Sequence, residues 1–184
     1  MMNMQTHDLT ALPIFCELNE EAAASICKSL ITLNFSPGQN ILVEGKSIQA
    51  LWIILEGHCE VSRSCHVNEK RTLARLEPGD VFGEMSFVRT APHSASIKAV
   101  TDVTVCCYQR SDFLELLAAQ PKAAWQVTSK IADILAERLR RMDTWVCDIM
   151  DRPADDDGNG SGENQDRRNE WESFRSAVYT NWNF

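Results

Sequence analysis

Two short stretches of the chain contain residue types that could bind a sugar phosphate. The first is Gly83-Glu84, a glycine directly followed by a carboxylate, and the second is residues 92–96, which read Pro-His-Ser-Ala-Ser. A glycine allows the backbone to approach a ligand closely, and a glutamate can accept hydrogen bonds from two adjacent ribose hydroxyls. A turn of small residues that leads into a strand offers successive amide and hydroxyl donors to an anion. We therefore predict that the two stretches form one ligand site.

The residues around these stretches resemble the phosphate-binding cassette of cyclic nucleotide-binding domains, as in protein kinase A regulatory subunits, catabolite activator protein and gated channels. The family motif reads Phe-Gly-Glu-Leu-Ala, a short gap and then Pro-Arg-Ala-Ala-Thr. Residues 82–86 read Phe-Gly-Glu-Met-Ser, and residues 92–96 follow without an insertion. The resemblance implies a cyclic nucleotide ligand similar to cyclic AMP. It also implies that the ligand contacts come from Phe82, Gly83, Glu84, Met85, His93, Ser94 and Ala95.

His93 departs from the family motif, because it stands where the family's arginine pairs with the cyclic phosphate. Losing a buried arginine–phosphate pair typically costs about 2–5 kcal/mol. A neutral imidazole that returns one hydrogen bond recovers about 1 kcal/mol. We therefore expect weakened cyclic nucleotide binding or a different ligand. Arg89, four residues before His93, is a further candidate for the missing cation.

Composition predicts one cytoplasmic domain rather than a secreted, membrane or nucleic-acid-binding protein. The chain has 184 residues, 44% of them hydrophobic, enough for one substantial core. Residues 151–184 carry eight acidic and four basic residues, which is −4 of the net charge of −8. No basic face is evident, and no run of apolar residues is long enough for a membrane span or secretion signal. The seven cysteines form no Cys-x-x-Cys pair, which favours reduced thiols.

Short apolar runs separated by glycines, from Phe35 to Tyr108, predict the scaffold that positions this site. About eight strands result, so we expect a mainly β fold: an eight-stranded double-sheet jelly roll with flanking helices. An N-terminal helix is predicted after Asn19, with Ala22, Ile26, Leu30 and Leu33 on its apolar face. A long C-terminal helix is predicted over residues 122–150, where neither glycine nor proline occurs.

The predicted domain organisation has four parts. Residues 1–11 are an N-terminal lead, residues 12–150 the cyclic nucleotide-binding-like domain, residues 151–165 a disordered acidic glycine-rich linker, and residues 166–184 a short amphipathic docking segment. Helix 122–150 could form a homodimer, although charged residues interrupt a clean heptad pattern. The docking segment carries Trp171, Phe174 and Val178 on one helical face. We therefore expect the docking segment to contact its own domain or an unknown protein partner.

The functional prediction is a non-enzymatic sensor that binds a cyclic nucleotide and signals through its C-terminal helix. The alternative is a degenerate module that has lost the ligand and serves protein interaction or dimerisation. A DNA-binding regulator is not expected, because the 34 residues after Met150 are acidic and glycine-rich.

Neither a metal site nor a catalytic group is predicted: His58, Cys59, Cys65 and His66 lack a known ligand spacing, and no nucleophile with its base is evident. Adjacent Cys106 and Cys107 are expected on opposite faces of a strand, one in the core and one partly exposed.

Overall fold

Two antiparallel sheets of four strands each form the body of the protein. The structure, a computed structural model, describes residues 4–64 and 70–151, without the side chains of Trp145 and residues 148–151. The first sheet has the order β1 (Ile31–Phe35), β8 (Val103–Gln109), β3 (Ala50–Glu56) and β6 (Val81–Phe82). The second has the order β2 (Asn40–Leu42), β7 (Ser96–Ala99), β4 (Cys59–Ser64) and β5 (Lys70–Leu76). The predicted eight-stranded double-sheet jelly roll is confirmed.

Five helices flank the sheets within the described ranges. They are α1 (Thr6–Ala11), α2 (Glu20–Ser29), α3 (Glu84–Val88), α4 (Arg110–Ala119) and α5 (Pro121–Asp151). Asn19 caps α2 as predicted, because its side chain accepts a hydrogen bond of 2.9 Å from the amide of Ala22. The prediction that this helix reaches Leu33 is wrong. It ends at Ser29, and Leu33 lies in β1, where it pairs with Val105 of β8.

Helices α1 and α3 were not predicted from the sequence. In α1, Leu9 is fully buried, so residues 6–11 of the predicted lead contribute to the core. Residues 84–88, where the sequence analysis assigns no helix, form one turn of helix. Such a short helix has little intrinsic stability, so packing of its buried residues is what holds it in place. The four-part division of the chain stays a prediction.

The core lies between the two sheets and continues on the outer face of the first sheet. Between the sheets, the cluster includes Ile41, Leu42, Trp52, Ile54, Phe82, Ile97, Val103, Val105 and Cys107. On the outer face, helices α2 and α4 pack against β8. The expectation that one of Cys106 and Cys107 is partly exposed is therefore wrong. Both are buried, because β8 is a central strand that is covered on both faces.

Helix α5 continues from the first compact unit, which ends at Ala132, into the second, which begins at Asp133. In the first unit, Gln126 donates a hydrogen bond of 2.8 Å to the carbonyl of Glu17, and the ammonium of Lys130 lies 2.6 Å from the Glu17 carboxylate. In the second unit, Leu139 and Met142 are about half exposed. The predicted linker, apart from Asp151, and the predicted docking segment lie outside the described residues.

None of the helices in residues 4–64 and 70–151 is long and apolar enough to cross a membrane.

Candidate functional site

The turn from β6 into α3 requires glycine at position 83. Gly83 has a φ of +77°, in the left-handed region. A Cβ atom at this position would lie 2.7 Å from the carbonyl oxygen of Ala50 and 2.9 Å from Cδ1 of Trp52. The neighbouring Phe82 stacks on Trp52, with ring centroids 5.9 Å apart and an angle of 11° between the rings. The first half of the predicted site is therefore fixed directly against β3.

Trp52 also brings an unpaired hydrogen-bond donor to this turn. Its Nε1 atom is buried and has no hydrogen-bond partner among the described residues. The same atom would lie 3.5 Å from a Cβ at Gly83, so it adjoins the candidate site. Buried donors are normally satisfied, because removing an N–H group from water without a partner is costly. Trp52 is thus a candidate for a ligand contact that the sequence did not indicate.

Glu84 and Met85 open helix α3 and differ sharply in exposure. Glu84 is 5% exposed, whereas Met85 is 57% exposed. The hydroxyl of Ser94 lies 3.7 Å from the sulfur of Met85, which is a weak hydrogen bond to sulfur. A buried carboxylate at the head of α3 could accept hydrogen bonds from ligand hydroxyls. The exposed Met85 brings the two halves of the predicted site together.

The backbone of His93 is paired with the segment between β2 and β3. The amide of His93 donates to the carbonyl of Lys46 at 2.8 Å, and the amide of Gly45 donates to the carbonyl of His93 at 2.9 Å. These two bonds hold the second half of the site against residues 43–49. No local pattern in the sequence indicates this pairing, because the partners lie almost fifty residues apart.

The imidazole of His93 is 6% exposed, and both of its nitrogens contact protein groups. The amide of Ile48 donates to Nε2 at 3.2 Å, and the hydroxyl of Ser86 lies 3.0 Å from Nδ1. That hydroxyl also bonds the carbonyl of Gly83 at 3.1 Å. Burial lowers the pKa of His93 from its ordinary value of 6.5, since a charged imidazolium would lose its hydration. The side chain thus connects α3, the turn at residues 92–96 and the segment before β3.

Two amides of the turn at residues 92–96 remain available to a ligand. The amides of Ser94 and Ala95 donate to no acceptor within the part of the chain that the structure describes. The last residue of the turn, Ser96, accepts a hydrogen bond of 3.0 Å from the amide of Glu44 through its hydroxyl. Consecutive amides without protein acceptors are the donors that an anion or a sugar oxygen requires.

The structure brings together most of the predicted site residues. We call residues 82–96 the cassette. Within it, Ser86 contacts His93 and Met85 contacts Ser94, whereas the Phe82 side chain lies in the core against Trp52. Contacts of these residues with a ligand stay predictions. In residues 4–64 and 70–151, no group of three His, Cys, Asp or Glu side chains is arranged to hold a metal ion.

Three residues that organise the cassette were missed as site residues: Ser86, Glu44 and Ile48. Ser86 stands three residues after Gly83, the spacing at which a helical serine can bond the carbonyl at the start of its helix. That local signal was available in the sequence. Glu44 and Ile48 gave no signal, because they meet the cassette through the fold, 52 and 45 residues away from their partners.

Comparison with known proteins agrees with this geometry. Residues 32–120 match the family model described as the cyclic nucleotide-binding domain. The cyclic AMP receptor protein of Thermus thermophilus is 36% identical over 109 residues, which is 59% of this chain and 49% of that protein. The crystal structure of the Thermus thermophilus catabolite activator protein has a TM-score of 0.64 at 31% identity, and the match covers 74% of this chain and 62% of that one.

A third relative differs in its ligand. It is the regulatory subunit of a cAMP-independent protein kinase A from Trypanosoma cruzi, solved bound to guanosine. Its TM-score is 0.58 at 26% identity, and the match covers 68% of this chain and 43% of that one. This chain spans about half the length of the curated relatives that it matches. The sequence match, the jelly-roll fold and the cassette geometry agree: residues 32–120 of this chain are a domain of the cyclic nucleotide-binding family.

Proposed function

We propose that this chain is a non-enzymatic regulatory module whose cassette binds a ribose-containing ligand, either a cyclic nucleotide such as cyclic AMP or the corresponding nucleoside. The single observation that carries the proposal is the cassette itself. The contact between Ser86 and His93 joins its two halves, one with the buried carboxylate of Glu84 and the other with the available amides of Ser94 and Ala95. Glu84 would accept hydrogen bonds from the ribose hydroxyls, and the two amides would donate to oxygens of the ligand.

Contacts between α3 and α4 support an output through the C-terminal helix. The guanidinium Nε of Arg110, the first residue of α4, donates to the carbonyl of Phe87 in α3 at 2.9 Å. The Phe87 ring also packs against Phe113 of α4, with centroids 5.1 Å apart. Helix α5 begins only two residues after α4 ends. A ligand that shifts α3 would therefore displace α4, and through it the first turns of α5.

Thermal melting with and without ligand tests the proposal. A ligand at 100 times its dissociation constant adds about 2.7 kcal/mol to the free energy of unfolding, which a melting curve resolves. Cyclic AMP, cyclic GMP and the corresponding nucleosides are the panel, each at millimolar concentration. At least one should raise the melting temperature of the full chain. A ligand that does so should then be measured by calorimetry.

The variant Glu84→Ala tests the ribose contact. Two ligand hydroxyls would lose their acceptor in a buried place, at a cost of about 1–3 kcal/mol. The matched control is Glu77→Ala, which removes an exposed carboxylate seven residues earlier. Glu84→Ala should weaken binding by roughly 5- to 150-fold, and Glu77→Ala should not. Equal binding by the two variants would remove Glu84 from the site.

The alternative, a degenerate module without a ligand, has less support. The amides of Ser94 and Ala95, which have no protein acceptor among the described residues, are compatible with a retained ligand site. Melting curves that do not move with any ligand of the panel would favour this alternative. They would also reject the sensor proposal, because a sensor must bind at attainable ligand concentrations.

Homodimerisation through residues 122–150 is part of the proposal. Within residues 133–151, Leu139 and Met142 lie three residues apart and are about half exposed, as expected of a helix that meets a partner. Sedimentation of the wild-type chain and of Leu139→Glu tests it, because a dimer through this helix should become monomeric in the variant. A protein partner for residues 166–184, the absence of DNA binding and a cytoplasmic location stay predictions from composition.

A further inference from the structure

The imidazole of His93 is locked in one neutral tautomer by its neighbours. The amide of Ile48 can only donate, so Nε2 of His93, 3.2 Å away, must accept and carries no proton. The hydroxyl of Ser86 places its own hydrogen on the carbonyl of Gly83 at 3.1 Å. Its oxygen, 3.0 Å from Nδ1, therefore accepts the remaining imidazole proton. Neither nitrogen of the ring therefore has a hydrogen left to donate to a ligand.

Protonating this ring would break the arrangement. A proton on Nε2 would face the amide hydrogen of Ile48, so two donors would oppose each other in a site that is 6% exposed. Burial already lowers the pKa of His93 from 6.5, which keeps the ring neutral near pH 7. The position at which the family has an arginine thus carries no positive charge.

In the described ranges, the side chains of the turn at residues 92–96 make their hydrogen bonds with Ile48, Ser86, Met85 and Glu44, and with no arginine or lysine. Arg110, the basic residue of α4, bonds the carbonyl of Phe87. The cassette itself adds the acidic side chain of Glu84, whose negative charge disfavours a phosphate close by.

The amides of the cassette can donate to a phosphate or to a sugar, but only the phosphate brings a charge that has no cationic partner among these contacts. The amides of Ser94 and Ala95 can each donate to a hydroxyl or ring oxygen, and Glu84 can accept from hydroxyls. We propose, building on the proposed function, that the cassette selects uncharged ribonucleosides over cyclic nucleotides, with His93 as the residue that sets this preference. The guanosine-bound, cAMP-independent relative shows that this fold can hold a nucleoside.

The expected preference is large. Without the arginine, a cyclic nucleotide loses the roughly 30-fold to several-thousand-fold in dissociation constant that a buried arginine–phosphate pair provides. Its charged phosphate still has to give up hydration on binding, a cost that an uncharged nucleoside does not incur. Calorimetry with the full chain at pH 7.5 should therefore give at least about tenfold tighter binding of guanosine or adenosine than of cyclic GMP or cyclic AMP. A cyclic nucleotide that binds more tightly than its own nucleoside would overturn the inference and leave the proposed function intact.

Two substitutions at His93 separate the effect of side-chain charge on ligand preference from the effect of side-chain shape. His93→Arg should reverse the preference and favour the cyclic nucleotide by about tenfold or more. His93→Gln is neutral, offers an acceptor to the amide of Ile48, and should keep the wild-type preference. A His93→Gln variant that favours the cyclic nucleotide would contradict the role of charge. Because arginine in a buried place can impair folding, the wild-type ratio and the glutamine variant test the inference without it.

Two control variants test whether an exposed basic residue in or beside the cassette supplies the missing positive charge. Lys46→Gln and Arg89→Gln each remove a positive charge from an exposed side chain. The preference for nucleosides should be unchanged in both. If the wild type favours a cyclic nucleotide and either variant removes that preference, the missing cation comes from that residue and the inference is wrong. If no nucleoside and no cyclic nucleotide binds, the proposed function fails together with the inference.

Discussion

The hydroxyl of Ser86 lies 3.0 Å from Nδ1 of His93, seven residues further along the chain. Through this contact, α3 and the turn at residues 92–96 share one buried hydrogen-bonded unit. The same imidazole accepts the amide of Ile48, so the segment before β3 belongs to the unit as well. His93, which the sequence analysis predicts as a ligand contact, thus has a structural role in this chain.

Ser86→Ala should destabilise the fold by about 1–3 kcal/mol, because it leaves the Nδ1 hydrogen of His93 without an acceptor in a buried place. The free energy of unfolding from denaturant titration measures this loss. Ser47→Ala, at an exposed serine, is the control and should stay within about 0.5 kcal/mol of the wild type. If the two variants were equally stable, the Ser86 hydroxyl would not be the partner of the imidazole.

Gly83→Ala should destabilise the fold more than Gly45→Ala. Both glycines have a left-handed φ, 77° and 78°, so both variants should lose about 1–2 kcal/mol from the dihedral angle alone. A methyl group at position 45 meets nothing within 4 Å, whereas one at position 83 meets the carbonyl of Ala50 at 2.7 Å. The difference should be about 1–3 kcal/mol, the range for overpacking, in denaturant titrations. Equal losses would mean that β3 moves freely to accommodate the methyl group.

Much of the fold could be predicted because its signals are local. Short apolar runs separated by glycines indicate strands, and the Asn19 cap indicates where α2 begins. The end of α2 was misjudged, since Leu33 continues the helical spacing while its pairing with Val105 in β8 places it in a strand. That pairing joins residues about seventy positions apart, and no local pattern contains it.

The site shows the same division between local and distant information. The motif predicts Gly83 and Glu84 as site residues, because residue types and spacing are enough to recognise it. The orientation of the His93 ring depends on Ile48, which only the fold brings within 3.2 Å. The burial of Cys106 likewise follows from helices on the outer face of the sheet, which alternation along a single strand does not reveal.

Thiol reactivity should separate the cysteines into two classes. Burial raises the pKa of both Cys106 and Cys107 to about 12, and only the thiolate attacks a disulfide reagent. Cys16 and Cys147 are exposed. In a Cys65→Ser background, Ellman's reagent at pH 8 should modify Cys16 and Cys147 rapidly, and Cys106 and Cys107 only after denaturation. Rapid native labelling of the adjacent pair would show that β8 opens readily.

Arg110→Ala should uncouple the cassette from the C-terminal helix. The variant loses the 2.9 Å bond to the carbonyl of Phe87, which joins α3 to α4. We expect ligand affinity to change less than threefold, since Arg110 bonds only backbone. Ligand-induced protection of residues 121–132 in hydrogen exchange should decrease. The exposed Arg75→Ala is the control and should respond like the wild type. An unchanged exchange response in Arg110→Ala would mean that the signal does not pass through this bond.

The stability that His93 contributes should depend on pH. Burial places the pKa of the folded state below 6.5, so folding favours the neutral ring. The contribution is complete above about 6.5, the ordinary pKa of histidine, and is lost as pH falls from there towards the folded-state pKa. The free energy of unfolding of the wild type minus that of His93→Gln should therefore be smaller at pH 5.5 than at pH 7.5. Taking the difference between the wild type and the variant cancels the contribution of carboxylates that titrate in the same pH range. His58→Gln, at an exposed histidine, is the control for replacing a histidine by glutamine. If the His93→Gln difference were independent of pH, the ring would bear the same charge in the folded and unfolded states, and the neutral tautomer assigned from Ile48 and Ser86 would be wrong.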